Sequence, residues 1–224
     1  MNLKTVVSES QRAAIEAAVV AAEAHTAAEI VPVIATASGR YDRAEDLAGV
    51  GLGVLFMIGC WILFQREDAT AGDWNGLPLA LPFIWIVVAF LVGFFVGLLL
   101  TSRVWFLRRL LTSGRQMREE VAQQARQMFF DQRIHRTRAG SGILIYVSMY
   151  ERLALVLADE SAQEVLGEAG LNQIRDELIL AMRGGSVATA LCAAIKAAGD
   201  RLEGTMPRQE DDRDELPSRL VLLG

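Results

Sequence analysis

The sequence predicts an α/β domain, a small mixed sheet flanked by helices, with a two-helix transmembrane hairpin inserted after the first strand. Three observations predict it. Two charge-free apolar runs, Leu47–Phe64 and Leu77–Leu100, lie close together inside the chain. Short strand-like runs stand on both sides of them: Glu29–Thr36 before, Ile143–Met149 and Leu153–Ala158 after. Apolar residues at helical spacing fill most of the remainder. The 224 residues suffice for one medium domain plus a membrane insert. Hydrophobic residues make up 52% and the mean hydropathy is +0.30, an excess concentrated in Leu47–Leu100.

Taken in order, Ser8 opens a helix, with Gln11 three residues later as in a capping box. Met1–Gln11 holds one Lys and no long apolar core, so no secretory signal is expected. Ala14, Ile15, Ala18, Val19 and Ala22 recur at helical spacing. The strand Glu29–Thr36 contains Pro32, which cannot donate to a ladder, so it is expected at or near a sheet edge.

Leu47–Phe64 spans about 18 residues, roughly 27 Å as a helix, close to the hydrocarbon thickness of a bilayer. Leu77–Leu100, about 24 residues, can span with tilt. Pro78 and Pro82 suit the first turns of a helix. Trp61, Trp74, Trp85 and Trp105 fall mostly near the ends, as an aromatic belt would. A buried core hairpin is the alternative, but two charge-free runs this long seldom occur in a soluble core. Arg40 and Arg43 precede the first span, and Arg103, Arg108, Arg109, Arg115 and Arg118 follow the second. The connecting loop carries only Arg66 against Glu67, Asp68 and Asp73. The positive-inside rule places both flanks, and so both termini, in the cytoplasm. Gly49 and Gly53 are four apart, as are Gly93 and Gly97. That spacing serves close helix packing, within the hairpin or between copies in a homo-oligomer.

Beyond the hairpin, Arg103 to about Arg133 reads as helix, either continuing the second span or starting anew near Ser113–Gly114. Arg133–Gly142 reads as a loop. Ile143–Met149 is apolar at nearly every position, as a strand covered on both faces should be. It is joined to Leu153–Ala158 by a tight turn at Tyr150, Glu151 and Arg152. Ala162 to Met182 marks a helix or pair of helices with a break near Gly167–Gly170, and Leu191 to Leu202 another, stopped by Gly204 and Pro207. The tail has an acidic stretch, Glu210–Glu215, and an apolar end, Arg219–Leu223, which can add a strand or pack on the domain.

Three segments carry a resemblance. Thr26-Ala27-Ala28-Glu29-Ile30-Val31, then Thr137 with Gly142-Ile143-Leu144-Ile145-Tyr146-Val147-Ser148, then Glu151-Arg152 with Val156, Ala158 and Asp159 are similar to the TPM domain family. That family includes thylakoid-lumen proteins described as acid phosphatases or photosystem II repair factors, and a receptor-modulating animal membrane protein. The tail from Glu215-Leu216-Pro217 resembles a bacterial subgroup with the same inserted hairpin. The resemblance implies a TPM-like domain in two parts, 1–44 and 103–207, around a hairpin at 45–102, with 208–224 as a tail. It also implies the bacterial inner membrane as location. Asp159 is followed by Glu160-Ser161 where the family usually has a glycine, and the family's tryptophan is replaced near Leu171 and Asn172.

No strong catalytic signature is present: no phosphate-binding loop, no nucleophile elbow and no His-Glu-x-x-His pair. The net charge of −5 argues against a nucleic-acid partner. Cys60 and Cys192, the only cysteines, fit neither a disulfide framework nor a metal knuckle. Glu29 and Asp159 stand at strand ends, where carboxylates can hold Ca²⁺ or Mg²⁺, or act as solvated termini and caps. A phosphatase, as the resemblance implies, would need a metal-bound water there. His25 and His135 are expected in exposed loops. Arg133, Arg136 and Arg138 can meet anionic lipid heads or a phosphate, or form a solvated loop. The expected function is a cytoplasmic interaction or assembly module for other membrane proteins, tethered to the lipid bilayer. The competing expectation is a metal-dependent phosphatase acting on phospho-esters, and a third is a structural oligomer.

Overall fold

The computed structural model describes residues 7–39, 42–64, 83–103, 112–137, 140–208 and 215–224. The chain forms two compact units, one of Met1–Gly39 with Arg115–Gly224, the other of Arg40–Gly114.

The first unit is built from α1 (Glu9–Glu23), β1 (Ile30–Ala35), α4 (Gly114–Asp131), β2 (Ile143–Ser148), β3 (Leu153–Ala158), α5 (Glu160–Gly184), α6 (Val187–Glu203) and β4 (Val221–Leu223). Ser8 caps α1 reciprocally: its hydroxyl accepts from the Gln11 amide at 3.2 Å, and its own amide donates to the Gln11 side chain at 2.9 Å. A separate helix does begin at Gly114, since Thr112 and Ser113 are not helical. The break foreseen in the later helix falls at Gly167, where φ 62 and ψ 173 suit only glycine.

The four strands lie in the order β3-β2-β1-β4. β1 pairs in parallel with β2, Ile30 opposite Ile143, so the segments on either side of the inserted hairpin do meet in one sheet. β2 and β3 pair antiparallel through the tight turn, which places Arg152 at φ 56. The apolar tail end adds β4, parallel to β1.

Pro32 therefore lies not in the edge strand itself but in the strand next to it, near the edge as its missing N–H predicts. Amides and carbonyls of odd-numbered β1 residues face β2: the Glu29 and Ala35 carbonyls accept from Ile143 and Met149. Even-numbered residues face the other way, and Thr36 donates to Leu223. Pro32 belongs to this second set, and the β4 ladder starts only at Val33. Its missing donor falls on the side where β4 has not yet begun, so no ladder bond is lost.

Both faces of the sheet are covered. Ile30, Ile34, Ile143, Ile145, Val147 and Val156 pack with α1, α5 and α6 through Ile15, Val19, Leu178, Leu191 and Ile195. Val31, Val33, Leu144 and Tyr146 pack with α4 through Val121, Ala125, Met128 and Phe129. The α4 residues recur at three- and four-residue intervals, one apolar stripe on an otherwise polar helix. Burial on both sides explains why β2 reads apolar at almost every position.

The second unit holds α2 (Asp42–Phe64) and α3 (Phe83–Arg103). Glu45–Phe64 and Phe83–Arg103 are long and apolar enough to cross a membrane, and only 11% of each span is buried. Leu55, Ile62, Leu63, Phe83, Ile84, Phe95 and Leu99 are exposed. The two glycine pairs face each other. A Cβ on Gly93 would lie 2.6 Å from the Leu52 carbonyl oxygen, and one on Gly97 2.6 Å from that of Ala48. Gly49 and Gly53 face Phe94 and Phe90. An antiparallel hairpin brings the pairs to one level, and close packing within it occupies all four. The connecting loop with Arg66 to Asp73, Pro78, Pro82, Trp74, Trp105, Arg40, Arg108 and Arg109 lie outside the described residues, as does the side chain of Arg43.

Candidate functional site

Glu29 ends the loop before β1 and is 8% exposed. Its carboxylate accepts two tail amides, Glu215 at 2.9 Å and Leu216 at 3.3 Å. Glu23, at the end of α1 and 4% exposed, accepts from the Ile30 amide at 3.1 Å and the Ser218 hydroxyl at 2.6 Å. Glu16 accepts from the Leu220 amide at 3.3 Å. Three carboxylates along α1 and its exit thus clasp the tail and lead it into β4. Charge-assisted bonds to buried amides are worth more than neutral ones. Glu16 and Glu23 lie seven apart on one helical face, a signal visible in the sequence, but the partners are backbone amides two hundred residues away, which no side-chain motif marks.

Asp159 is the N-cap residue of α5, without a side-chain cap bond. It and Glu29 lie at the same end of the sheet: the Ile143 amide donates to the Glu29 carbonyl at 2.7 Å, and the Asp159 amide donates to Gly142 at 2.8 Å. Among the described residues, no three His, Cys, Asp or Glu side chains are grouped to hold a cation.

At the opposite end, where β1 and β2 finish, a polar cluster is closed on itself. The Ser38 amide donates to Glu151 Oε1 at 2.8 Å. The Ser38 hydroxyl lies 2.9 Å from both Tyr146 Oη and Ser148 Oγ, and Ser148 donates to Glu151 Oε2. Tyr146 and Ser148 are fully buried and Glu151 is 3% exposed. Burial pushes the Tyr146 hydroxyl pKa up, the Ser38 hydrogen bond opposes this, and the Glu151 charge adds to the rise. Glu151 thereby ties the hairpin turn to the segment leaving β1, using the Glu-Arg pair that carries the family resemblance.

Arg133 and Arg136 are exposed around a short 3₁₀ turn, Ile134–Arg136, with Arg133 at φ 57. Arg138 lies outside the described residues. His25 and His135 are exposed, the His135 ring lying 4.9 Å from that of Phe130. An open cleft of about 550 Å³ between α1 and α6 has His25, Cys192, Lys196, Asp200 and Glu203 on its walls. Burial pushes the Cys192 thiol pKa up, opposed by a backbone hydrogen bond.

The fold defines the class: an α/β protein of four mixed strands covered by helices, with an apolar helical hairpin inserted between adjacent strands. Residues 103–201 match the family model of the TPM domain. The chain is also similar to the NMR structure of the BA42 protein from the psychrophilic bacterium Bizionia argentinensis, with a TM-score of 0.57 and 16% identity over 99% of this chain and 98% of that one. No curated protein matches it. The matched stretch includes β2, β3 and Asp159, part of the strand motifs that carry the resemblance to that family.

Proposed function

We propose that the protein is a membrane-anchored interaction module: the hairpin inserts in a bilayer, and the TPM domain, on the cytoplasmic side, binds or helps assemble other membrane proteins. The observation that carries this is the hairpin, two adjacent spans with only 11% of each buried, placed inside the domain's sequence rather than beside it. Burying such a surface in lipid is strongly favourable, since each apolar side chain moved out of water gains about 1.5–3 kcal/mol. The carboxylates support a binding role over a catalytic one, because Glu23, Glu29 and Glu151 are spent on holding the fold. The basic flanks of the spans support a cytoplasmic domain, and Arg133 and Arg136 fit anionic lipid heads.

The test is in vivo cross-linking of the full chain in native membranes, with the purified protein assayed beside it for release of phosphate from p-nitrophenyl phosphate. Reproducible adducts with membrane proteins and no hydrolysis are expected. Hydrolysis that is lost in Asp159→Ala would overturn the reading in favour of a phosphatase. Recovery of the chain in the soluble fraction would overturn the anchoring.

A further inference from the structure

β3 forms one edge of the sheet, and its outer side has no partner strand among the described residues. Its register with β2 shows which groups are free. The Asp159 amide donates to Gly142, so the odd-numbered residues, with Leu153, Leu155 and Leu157, face β2. The amides and carbonyls of Ala154, Val156 and Ala158 face outward. Natural edge strands are usually blunted by lysine, proline, a bulge or shortness. β3 has none of these: six residues, Leu-Ala-Leu-Val-Leu-Ala, uncharged and paired at every position with β2. The opposite edge, β4, is only three residues long.

The open edge runs into a cleft of about 300 Å³ between α4 and α5, floored by Leu153, Ala154 and Leu155, with Arg118 and Arg175 on its walls and, among the described residues, no carboxylate lining it. The Arg175 guanidinium is held by Asn172 at 2.6 Å and Asp176 at 2.8 Å. Arg118 is exposed and makes no ion pair among the described residues. At the far end of β3 the charge reverses with Asp159 and Glu160.

We infer that the β3 edge is a docking site for an extended, acidic segment of a partner protein, which adds as a fifth strand with its acidic end between Arg118 and Arg175. This rests on the interaction-module reading and names the chemistry of its partner. Main-chain bonds to Ala154, Val156 and Ala158 supply affinity, and the arginine pair supplies direction. An antiparallel strand, the more stable pairing, has its carboxyl-terminal end at Leu153. The acidic residues therefore belong at the carboxyl end of the segment, away from Asp159 and Glu160. A second copy's β3 would bring its Asp159 and Glu160 to the same end, but there it turns into α5 and cannot continue extended past the arginines.

The probe is a fluorescein-labelled peptide of alternating Val and Thr ending in three glutamates, titrated into the full chain in nanodiscs. Its controls carry three lysines in that place, or the glutamates at the amino end. The acidic-ended peptide is expected to bind at least tenfold more tightly than either control. It should also slow hydrogen exchange at the Ala154, Val156 and Ala158 amides. Arg118→Glu with Arg175→Glu, both side chains lying outside the core, should lower affinity at least tenfold and leave the exchange pattern of the free protein unchanged. Absence of binding, or binding that leaves the three amides unprotected, overturns the proposal. Protection of these amides without peptide, accompanied by a dimer in sedimentation, overturns it in favour of a second copy. Cross-linked adducts kept by the double variant would refute the edge while leaving the module reading intact. Loss of all adducts from the unmodified protein would refute that reading itself.

Discussion

Closing the hairpin depends on Gly93 and Gly97, and Gly97→Ala measures how much. The new Cβ would sit 2.6 Å from the Ala48 carbonyl oxygen and 2.8 Å from the Gly49 Cα. Both are backbone atoms on the facing helix, so neither can swing aside as a side chain would. Ordinary contact begins at 3.4 Å, so α2 and α3 must part by about 0.8 Å at this level. Forcing a methyl into a packed seam costs about 1–3 kcal/mol. Gly93→Ala meets the Leu52 oxygen at the same 2.6 Å, and because the two sites share one seam the double variant should cost less than the sum. Gly51→Ala is the control, since nothing lies within 4 Å of its Cβ position. The assay is unfolding in mixed micelles by titration with dodecyl sulfate, followed by the fluorescence of Trp61 and Trp85, which lie on the two helices. Gly97→Ala should unfold at lower detergent fraction and Gly51→Ala at an unchanged one. If Gly97→Ala unfolds like the parent yet loses a cross-linked dimer, the glycines act between copies and the packing argument is wrong.

Glu29→Gln should loosen the tail. The neutral amide offers one acceptor where the carboxylate offers two, at a cost of about 1.5–3 kcal/mol for the charged bond lost. Faster hydrogen exchange at Glu215, Leu216 and the β4 amides would confirm it, and unchanged exchange would refute the clasp. Tyr146 should make the domain sensitive to alkali. Its pKa is raised on folding, so its contribution is fully present below the unfolded value near 10 and lost as pH rises through the folded one. Tyr146→Phe should therefore flatten the loss of stability in denaturant melts as pH rises above the ordinary tyrosine value near 10; an unchanged slope would show that other groups cause it.

Much of the architecture was legible because it is written in local periodicity. The cap at Ser8, the break at Gly167, the turn at Glu151-Arg152 and the strand character of Leu153–Ala158 depend on near neighbours in the chain. Pro32 placed its strand near an edge, but a proline says only that one N–H is missing, not toward which neighbour it would have pointed. The site was less legible. Asp159 and Glu29 were visible as strand-end acids, but the Glu29 partners are backbone amides of a distant tail. Ser38 is an unremarkable serine in sequence, and it joins Tyr146, Ser148 and Glu151 only because parallel pairing of β1 and β2 brings their carboxyl ends together.

By itself, then, the sequence determined that two apolar spans interrupt an α/β domain, and that the strands on either side must meet. Uncharged length and two-residue or 3.6-residue periods are properties of contiguous residues, so no fold is needed to read them. Only the tertiary structure decided the strand order, the inner position of β1, the use of Glu16, Glu23 and Glu29 as a clasp, and the open side of β3. Each is a contact between segments far apart in the chain, and such contacts are set by which buried faces and hydrogen-bonding edges fit together in space.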